Sequence, residues 1–261
     1  MHEKIKFYKY QGAGNDFILI DNRKLVFEAQ NTALVRKMCD RKFGIGADGL
    51  MLLQETEQAD FEMIYFNANG QEASMCGNGG RCIVAFARDL KIIETETDFL
   101  AVDGLHTAQL NGNNISLSMI DVPHYHRTEN AYILQTGSPH YVKITSDVDS
   151  LDVYNEGKSI RYDQTYGPEG INVNFVEKEA SGYFVRTYER GVENETLACG
   201  TGATAAAMSI AINENQTGKM TIPIRVLGGQ LHVSFERNGD SFTKVVLKGP
   251  AEFVFEGSIS R

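Results

Sequence analysis

Two cysteines stand in the same short frame. Met75-Cys76-Gly77-Asn78-Gly79-Gly80-Arg81-Cys82 and Ala198-Cys199-Gly200-Thr201-Gly202-Ala203-Thr204 each follow the cysteine with Gly, a small polar residue and Gly. A long helical stretch begins directly after each frame. A thiol just before a helix start meets unpaired backbone N–H groups and the positive end of the helix dipole. Both favour thiolate and lower a thiol pKa from about 8.5. Two such thiols facing each other across a small pocket form an acid/base pair. One takes a proton from one face of a carbon, the other returns a proton to the opposite face, and the stereocentre inverts. The helix starts would also bind an amino acid's carboxylate and stabilise the charge that grows on it as the α-proton leaves. Such chemistry requires no pyridoxal phosphate, and its titration belongs to the pair rather than to one thiol. Cys39 and Cys82 read as small buried apolar side chains. The cysteine spacing lacks the C-x-x-C or tetrad pattern of a redox or metal site, so no metal is expected.

Other polar residues fall where a ligand can reach them. Glu189-Arg190 ends the strand that leads to Cys199, and Arg190 suits a clamp on a second carboxylate. Asn67 holds the corresponding place before Cys76. Asn15 and Asn172 lie in or beside glycine-containing turns, where asparagine is common for local reasons. His140 follows Ser138-Pro139 and is placed to tune a nearby thiol.

These residues need elements to hold them. Lys6 to Asp21 reads as strand, tight turn, strand, and Asn31 to Arg41 as a helix with Leu34, Val35 and Met38 on one face. Strands follow at 50–53 and 61–66, then a helix from Gly77 to Lys91, then short strands around 99–102, 107–110 and 115–119. The second half repeats the order: strands at 132–135 and 141–144, a polar stretch, strands at 171–176 and 183–188, and a helix to Asn213. Strands around 222–226, 231–235, 244–247 and 253–255 close the chain. A shift of 123 positions superposes Gly14 on Gly137, Gly44 on Gly167, Phe61 on Phe184, Tyr65 on Tyr188, Glu72 on Glu195 and Cys76 on Cys199. Agreement across turn, loop, strand and cysteine frame indicates an internal duplication. The helix after Cys199 is apolar all round and must be buried all round. The expected fold is therefore α/β, of α+β type. It has two pseudo-symmetric domains, each a curled, mainly antiparallel sheet around a central apolar helix. The expected halves are residues 1–121 and 122–250, with 251–261 packing back on the first.

The whole chain bounds its partners. Its 261 residues suffice for two domains, and a net charge of −9 argues against nucleic acid or an anionic membrane as the main partner. The N-terminal stretch lacks the apolar core of a signal peptide, and no run is long and apolar enough to span a bilayer. Four cysteines in this length do not make a disulfide scaffold. A cytoplasmic protein is expected.

The segments Gln11-Gly12-Ala13-Gly14-Asn15-Asp16-Phe17, Gly44-Ile45-Gly46-Ala47-Asp48-Gly49, Cys76 to Cys82, Tyr188-Glu189-Arg190-Gly191 and Ala198 to Ala203 together resemble the diaminopimelate epimerase family. The cysteine frames alone would also fit proline racemase-like and phenazine-biosynthesis-like enzymes. The resemblance implies a cofactor-independent epimerase that converts LL-2,6-diaminopimelate to the meso form, a step that feeds lysine and, in many bacteria, peptidoglycan. It implies Cys76 and Cys199 as the acid/base thiols, with His140 and Glu189 as neighbours that influence them. Gly77, Asn78, Gly200 and Thr201 become the anion-binding helix starts. Asn15, Asn67, Ser138, Asn172, Glu189 and Arg190 become substrate contacts, and a homodimer is implied. Three departures concern the site. Gly49 stands where some members have Gln, and Ser138 where many have Asn. An insertion relative to many members lies near Val192-Glu193-Asn194, between Arg190 and Cys199. The alternatives are a racemase of another amino acid, a thiol redox or metal-binding protein, and a non-catalytic binding protein, which would normally lack one of the two thiols.

Overall fold

The computed structural model describes residues 4–73 and 75–260. Residues 1–3, which bear on the signal-peptide reading, and Arg261, at the end of the terminal segment, lie outside them. The chain divides into two compact units. One runs to Leu117 and resumes at Pro250, and the other is Ser118–Gly249.

In the first unit, β1 (Lys4–Gly12) and β2 (Asn15–Asp21) form a hairpin. Its two turn residues, Ala13 and Gly14, take φ of 52° and 90°, the left-handed turn that matches the twist of the flanking strands. Next come α1 (Thr32–Cys39), β3 (Gly49–Gln54), β4 (Phe61–Asn67), β5 (Glu72–Ala73), α2 (Gly77–Asp89), β6 (Glu96–Ala101), β7 (Gly104–Asn111) and β8 (Asn114–Ser118). The second unit contains β9 (His126–Arg127), β10 (Tyr132–Gln135), β11 (Pro139–Ile144), α3 (Val153–Arg161), β12 (Asn172–Glu179), β13 (Gly182–Glu189), β14 (Asn194–Thr196), α4 (Gly200–Asn213), β15 (Gly218–Val226), β16 (Gly229–Asn238) and β17 (Ser241–Pro250). The terminal strand β18 (Glu252–Ser260) pairs antiparallel with β1.

Strand order repeats between the units. In the first, neighbours run β18, β1, β2, β3, β4, β6, β7, β8, and in the second β9, β10, β11, β12, β13, β15, β16, β17. In each, two neighbouring pairs are parallel, β2–β3 and β4–β6 against β11–β12 and β13–β15, and the other pairs are antiparallel. A parallel pair needs a long crossover, and each crossover carries a helix. Each unit therefore holds two helices on opposite faces of its sheet. The sequence reading placed one long helix per half and passed over α3 as a polar stretch.

The faces follow from residue alternation. Ile18, Ile20, Leu50 and Leu52 point to α1, where Val35 and Met38 complete a core. The opposite face of β3 receives α2, with Met51 against Gly79. In the second unit Val173, Phe175, Phe184 and Tyr188 pack with Val153 of α3. The inner helix α4 is buried from Gly202 to Ile212, as an apolar surface on every side requires. Among the described residues no helix is long and apolar enough to cross a membrane.

Candidate active site

Each inner helix begins on a cysteine. Cys76 is the N-cap of α2, with extended backbone (φ −104°, ψ 147°), and its Sγ accepts a hydrogen bond from Gly79 N at 3.2 Å. Sulfur here takes the place that a Ser or Asp oxygen usually takes, satisfying one of the orphan donors of the helix start. Cys199 is the N-cap of α4, also extended (φ −118°, ψ 112°), with Sγ 3.5 Å from Thr201 Oγ1.

Behind Cys76 runs a chain of polar side chains. Asn78, buried, donates through Nδ2 to Asn15 Oδ1. Asn15 in turn donates to Asp48 Oδ2 at 3.0 Å. Arg81, fully buried, donates to Asn78 Oδ1 at 2.8 Å, to Gly77 O at 3.1 Å and to Pro250 O at 3.3 Å. Burial lowers the Arg81 pKa to about 10, which leaves the guanidinium charged at neutral pH, and its field and a Cys76 thiolate stabilise each other. Every amide orientation in the chain is fixed, because a guanidinium only donates and a carboxylate only accepts. Asn67, exposed, sits across from Gly49 in the β3–β4 ladder. At Gly49 an added Cβ would fall 2.5 Å from Tyr65 Cε2, so the Tyr65 ring fills the space that a longer residue would use.

The second unit supports its cysteine differently. His140 is buried, with Nε2 2.9 Å from Thr201 Oγ1 and Nδ1 3.1 Å from Asn174 Nδ2. Asn174 gives its other amide hydrogen to Tyr141 O at 3.0 Å and accepts from Thr187 Oγ1 at 2.9 Å. Nδ1 must then accept, and the ring proton sits on Nε2 and points to Thr201. With its lone pair engaged, the Thr201 hydroxyl is free to donate to Cys199 Sγ. Burial, aided by the Arg190 charge, depresses the His140 pKa to about 3, so the ring is a neutral, permanent donor. His140 thus reaches the thiol through Thr201.

Beside this relay, Asn172 donates to Ser138 Oγ at 2.8 Å and to Pro139 O at 3.1 Å, and accepts from Arg190 N at 2.8 Å. Arg190 Nη2 lies 3.4 Å from Ser138 Oγ. Glu189 Oε2 accepts from Thr196 Oγ1 at 3.0 Å. Within the second unit the structure links His140, Thr201 and Cys199 in one set of contacts and Ser138, Asn172 and Arg190 in another, with Glu189 bonded to Thr196. Within the first it links Asn78 to Asn15 beside the Cys76 helix start and leaves Asn67 exposed opposite Gly49. The sequence reading missed Arg81, Asp48, Asn174 and Thr187. The alternation Asn172-Val173-Asn174 within an apolar strand was the available signal for Asn174.

A repeated α/β unit whose inner helix is capped by cysteine in both copies defines the class of protein. Solved structures that share its fold include two of different kinds. One is a phenazine biosynthesis protein of the PhzF family from Bacillus anthracis, with a TM-score of 0.80 and 15% identity, covering 99% of this chain and 100% of that one. The other is a hydroxyproline epimerase from Agrobacterium vitis, with a TM-score of 0.72 and 14% identity, covering 100% of this chain and 94% of that one. The family model described as diaminopimelate epimerase matches residues 7–123 and 132–254. Relatives carrying that name include one from Flavobacterium psychrophilum, 53% identical over 98% of this chain and 100% of its own length. Another, from Chlorobaculum tepidum, is 42% identical over 95% of this chain and 99% of its own length. The chain belongs to the diaminopimelate epimerase family and is an isomerase.

Proposed function

We propose that this chain interconverts LL- and meso-2,6-diaminopimelate without an organic cofactor, using Cys76 and Cys199 as the two acid/base groups. The observation that carries the mechanism is that each unit caps its inner helix with a cysteine at the corresponding position of the repeat. One thiolate takes the α-proton. The electron pair left on carbon spreads into the adjacent carboxylate, whose oxygens accept from the backbone N–H groups of Gly77, Asn78, Gly200 and Thr201. The other thiol gives its proton to the opposite face. Charge is conserved: one sulfur gains a proton, the other loses one, and the next turnover runs in reverse or follows exchange with water. Arg190 takes the distal carboxylate, Glu189 an ammonium group, and Ser138, Asn172, Asn15 and Asn67 the remaining polar edges.

The setting follows from the same chemistry. Two thiols that must stay reduced suit the cytoplasm, where thiols persist. A homodimer is supported by the exposed apolar residues of β18.

The test is incubation with LL-diaminopimelate in D₂O under reducing conditions, without added cofactor. α-Deuterium and meso product are expected from the natural chain and from Cys82→Ala, and no meso product from Cys76→Ala or Cys199→Ala. Exchange on another amino acid with none on diaminopimelate overturns the substrate. Near-normal turnover by either of the last two variants overturns the two-base mechanism.

A further inference from the structure

The turn between β13 and β14 carries Arg190 at its first position and Glu193 at its last. The hairpin register pairs Glu189 with Asn194, leaving the four residues 190–193 to make the reversal. Glu193 N donates to Glu189 O at 2.8 Å, and Glu193 adopts φ 56°, a left-handed conformation uncommon for a residue with a side chain. That turn needs something to hold it.

The side chain of Glu193 supplies the hold. Its Oε1 accepts from Gly191 N at 3.0 Å and from Arg161 Nε and Nη2 at 3.2 and 3.0 Å. Its Oε2 accepts from Tyr162 Oη at 3.0 Å and Tyr188 Oη at 3.4 Å. These bonds hold the Glu193 carboxyl below its ordinary pKa despite desolvation, so it is the anion that is bound. Arg161 is the last residue of α3 and is buried, and its Nη1 lies within the protein without a hydrogen-bond partner. A cation so committed to one carboxylate is costly unless the pairing itself is needed.

We infer that Glu193 and Arg161 form a positioning pair that clamps the 190–193 turn to α3, so that Arg190 is presented to the substrate's distal carboxylate. The pair touches no substrate. It acts through the Arg190 backbone, whose N–H is held from the other side by Asn172. The inference rests on the proposed reading of Arg190. It adds Glu193 to the determinants of substrate affinity.

Glu193→Gly separates the carboxylate from the backbone, because glycine takes φ 56° without strain. With the clamp lost, KM for LL-diaminopimelate is expected to rise at least tenfold while kcat stays within about threefold, the split for lost uniform binding. Glu193→Gln, which keeps an acceptor oxygen but not the charge, should fall between. A role confined to folding would lower the midpoint of thermal unfolding and the active fraction, and leave KM unchanged. If Glu193→Gly fails to fold, Glu193→Gln carries the same test with a KM rise of at least threefold. KM within twofold of the natural chain in the folded variants overturns the positioning role alone. Failure of the natural chain to epimerise diaminopimelate overturns the reading of the site and this inference with it.

Discussion

At the scale of single residues, the two thiols are supported by unlike means. Cys76 has a buried cation behind it, whereas Cys199 has a neutral hydrogen-bond relay from His140 through Thr201. Thr201→Val keeps the volume and removes the relay. It leaves His140 Nε2–H buried without an acceptor, a cost of about 1–3 kcal/mol. Loss of one hydrogen bond to the Cys199 thiolate is expected to lower kcat about tenfold, the equivalent of one pKa unit. The check is kcat in the direction that uses Cys199 as base, and an unchanged kcat would remove the relay from the mechanism. His140 also predicts a pH dependence. In the unfolded chain it takes a proton near 6.5, and in the folded protein only near 3. Between those values the unfolded state binds more protons, so stability falls as pH is lowered, by about 1.4 kcal/mol per unit at full effect. Urea unfolding at pH 6.5 and pH 5 should show that slope, and His140→Gln should flatten it; an equal slope in both proteins would refute the assignment. The place of both cysteines at helix starts was legible in the sequence because their glycine frames repeat. Arg81 was not, although it stands inside the first frame, because nothing in sequence shows that a helical arginine points inward. Asn174 was hidden for a related reason, as one polar residue in an apolar strand looks like an interruption.

At the scale of elements, the repeat was legible wherever apolar spacing was strong, and α3 was not. Its sequence, Val153-Tyr154-Asn155-Glu156-Gly157-Lys158-Ser159-Ile160-Arg161, is polar on most faces and carries a glycine in its middle, which ordinarily weakens a helix by about 1 kcal/mol relative to alanine. The structure supplies the reason for the glycine. A Cβ at Gly157 would overlap the Tyr188 side chain, 2.8 Å from its Cγ. Close approach of α3 to β13 is what lets Arg161 reach Glu193. Helix start signals were nonetheless present: Asp152 caps Asn155 N at 3.1 Å, much as Asn31 caps Leu34 N at 3.1 Å in α1. Two rules therefore oppose each other at Gly157→Ala. Helix propensity alone predicts a gain of about 1 kcal/mol. Overpacking against Tyr188 predicts a loss of about 1–3 kcal/mol, since a packed β-strand does not yield easily. A lower urea midpoint with unchanged m-value is expected, because the clash is with Tyr188 Cβ and Cγ rather than with a flexible chain end. A raised midpoint would mean that α3 moves freely over the sheet.

At the scale of the whole molecule, the terminal strand is the feature that a single chain leaves unexplained. β18 is held by β1 on one side, and its Phe253, Val254 and Phe255 are 49%, 51% and 44% exposed. Phe253 and Phe255 meet Tyr10 and Phe7 edge-on, with ring centroids 5.6 and 6.0 Å apart. Three consecutive large apolar residues on a strand are a liability that proteins blunt with charge or cover with another surface. Here the flanking charges, Glu252 and Glu256, lie outside the run, and Glu256 is neutralised by Lys6 at 3.2 Å. Covering by a second copy is the expected solution, since closed symmetric dimers are the commonest way a chain buries such a patch. Net charge sets the sign of the salt effect. Two chains of charge −9 repel at low ionic strength, so added salt should strengthen the dimer while apolar burial holds it together. Sedimentation should therefore show a dimer that tightens between low and moderate salt. Val254→Lys, placing one charge per copy in the patch, should shift it to monomer with little change in the far-ultraviolet circular dichroism. A natural chain that sediments as a monomer at every salt concentration, or a Val254→Lys variant that dimerises as tightly as the natural chain, would show that β18 is exposed for another reason.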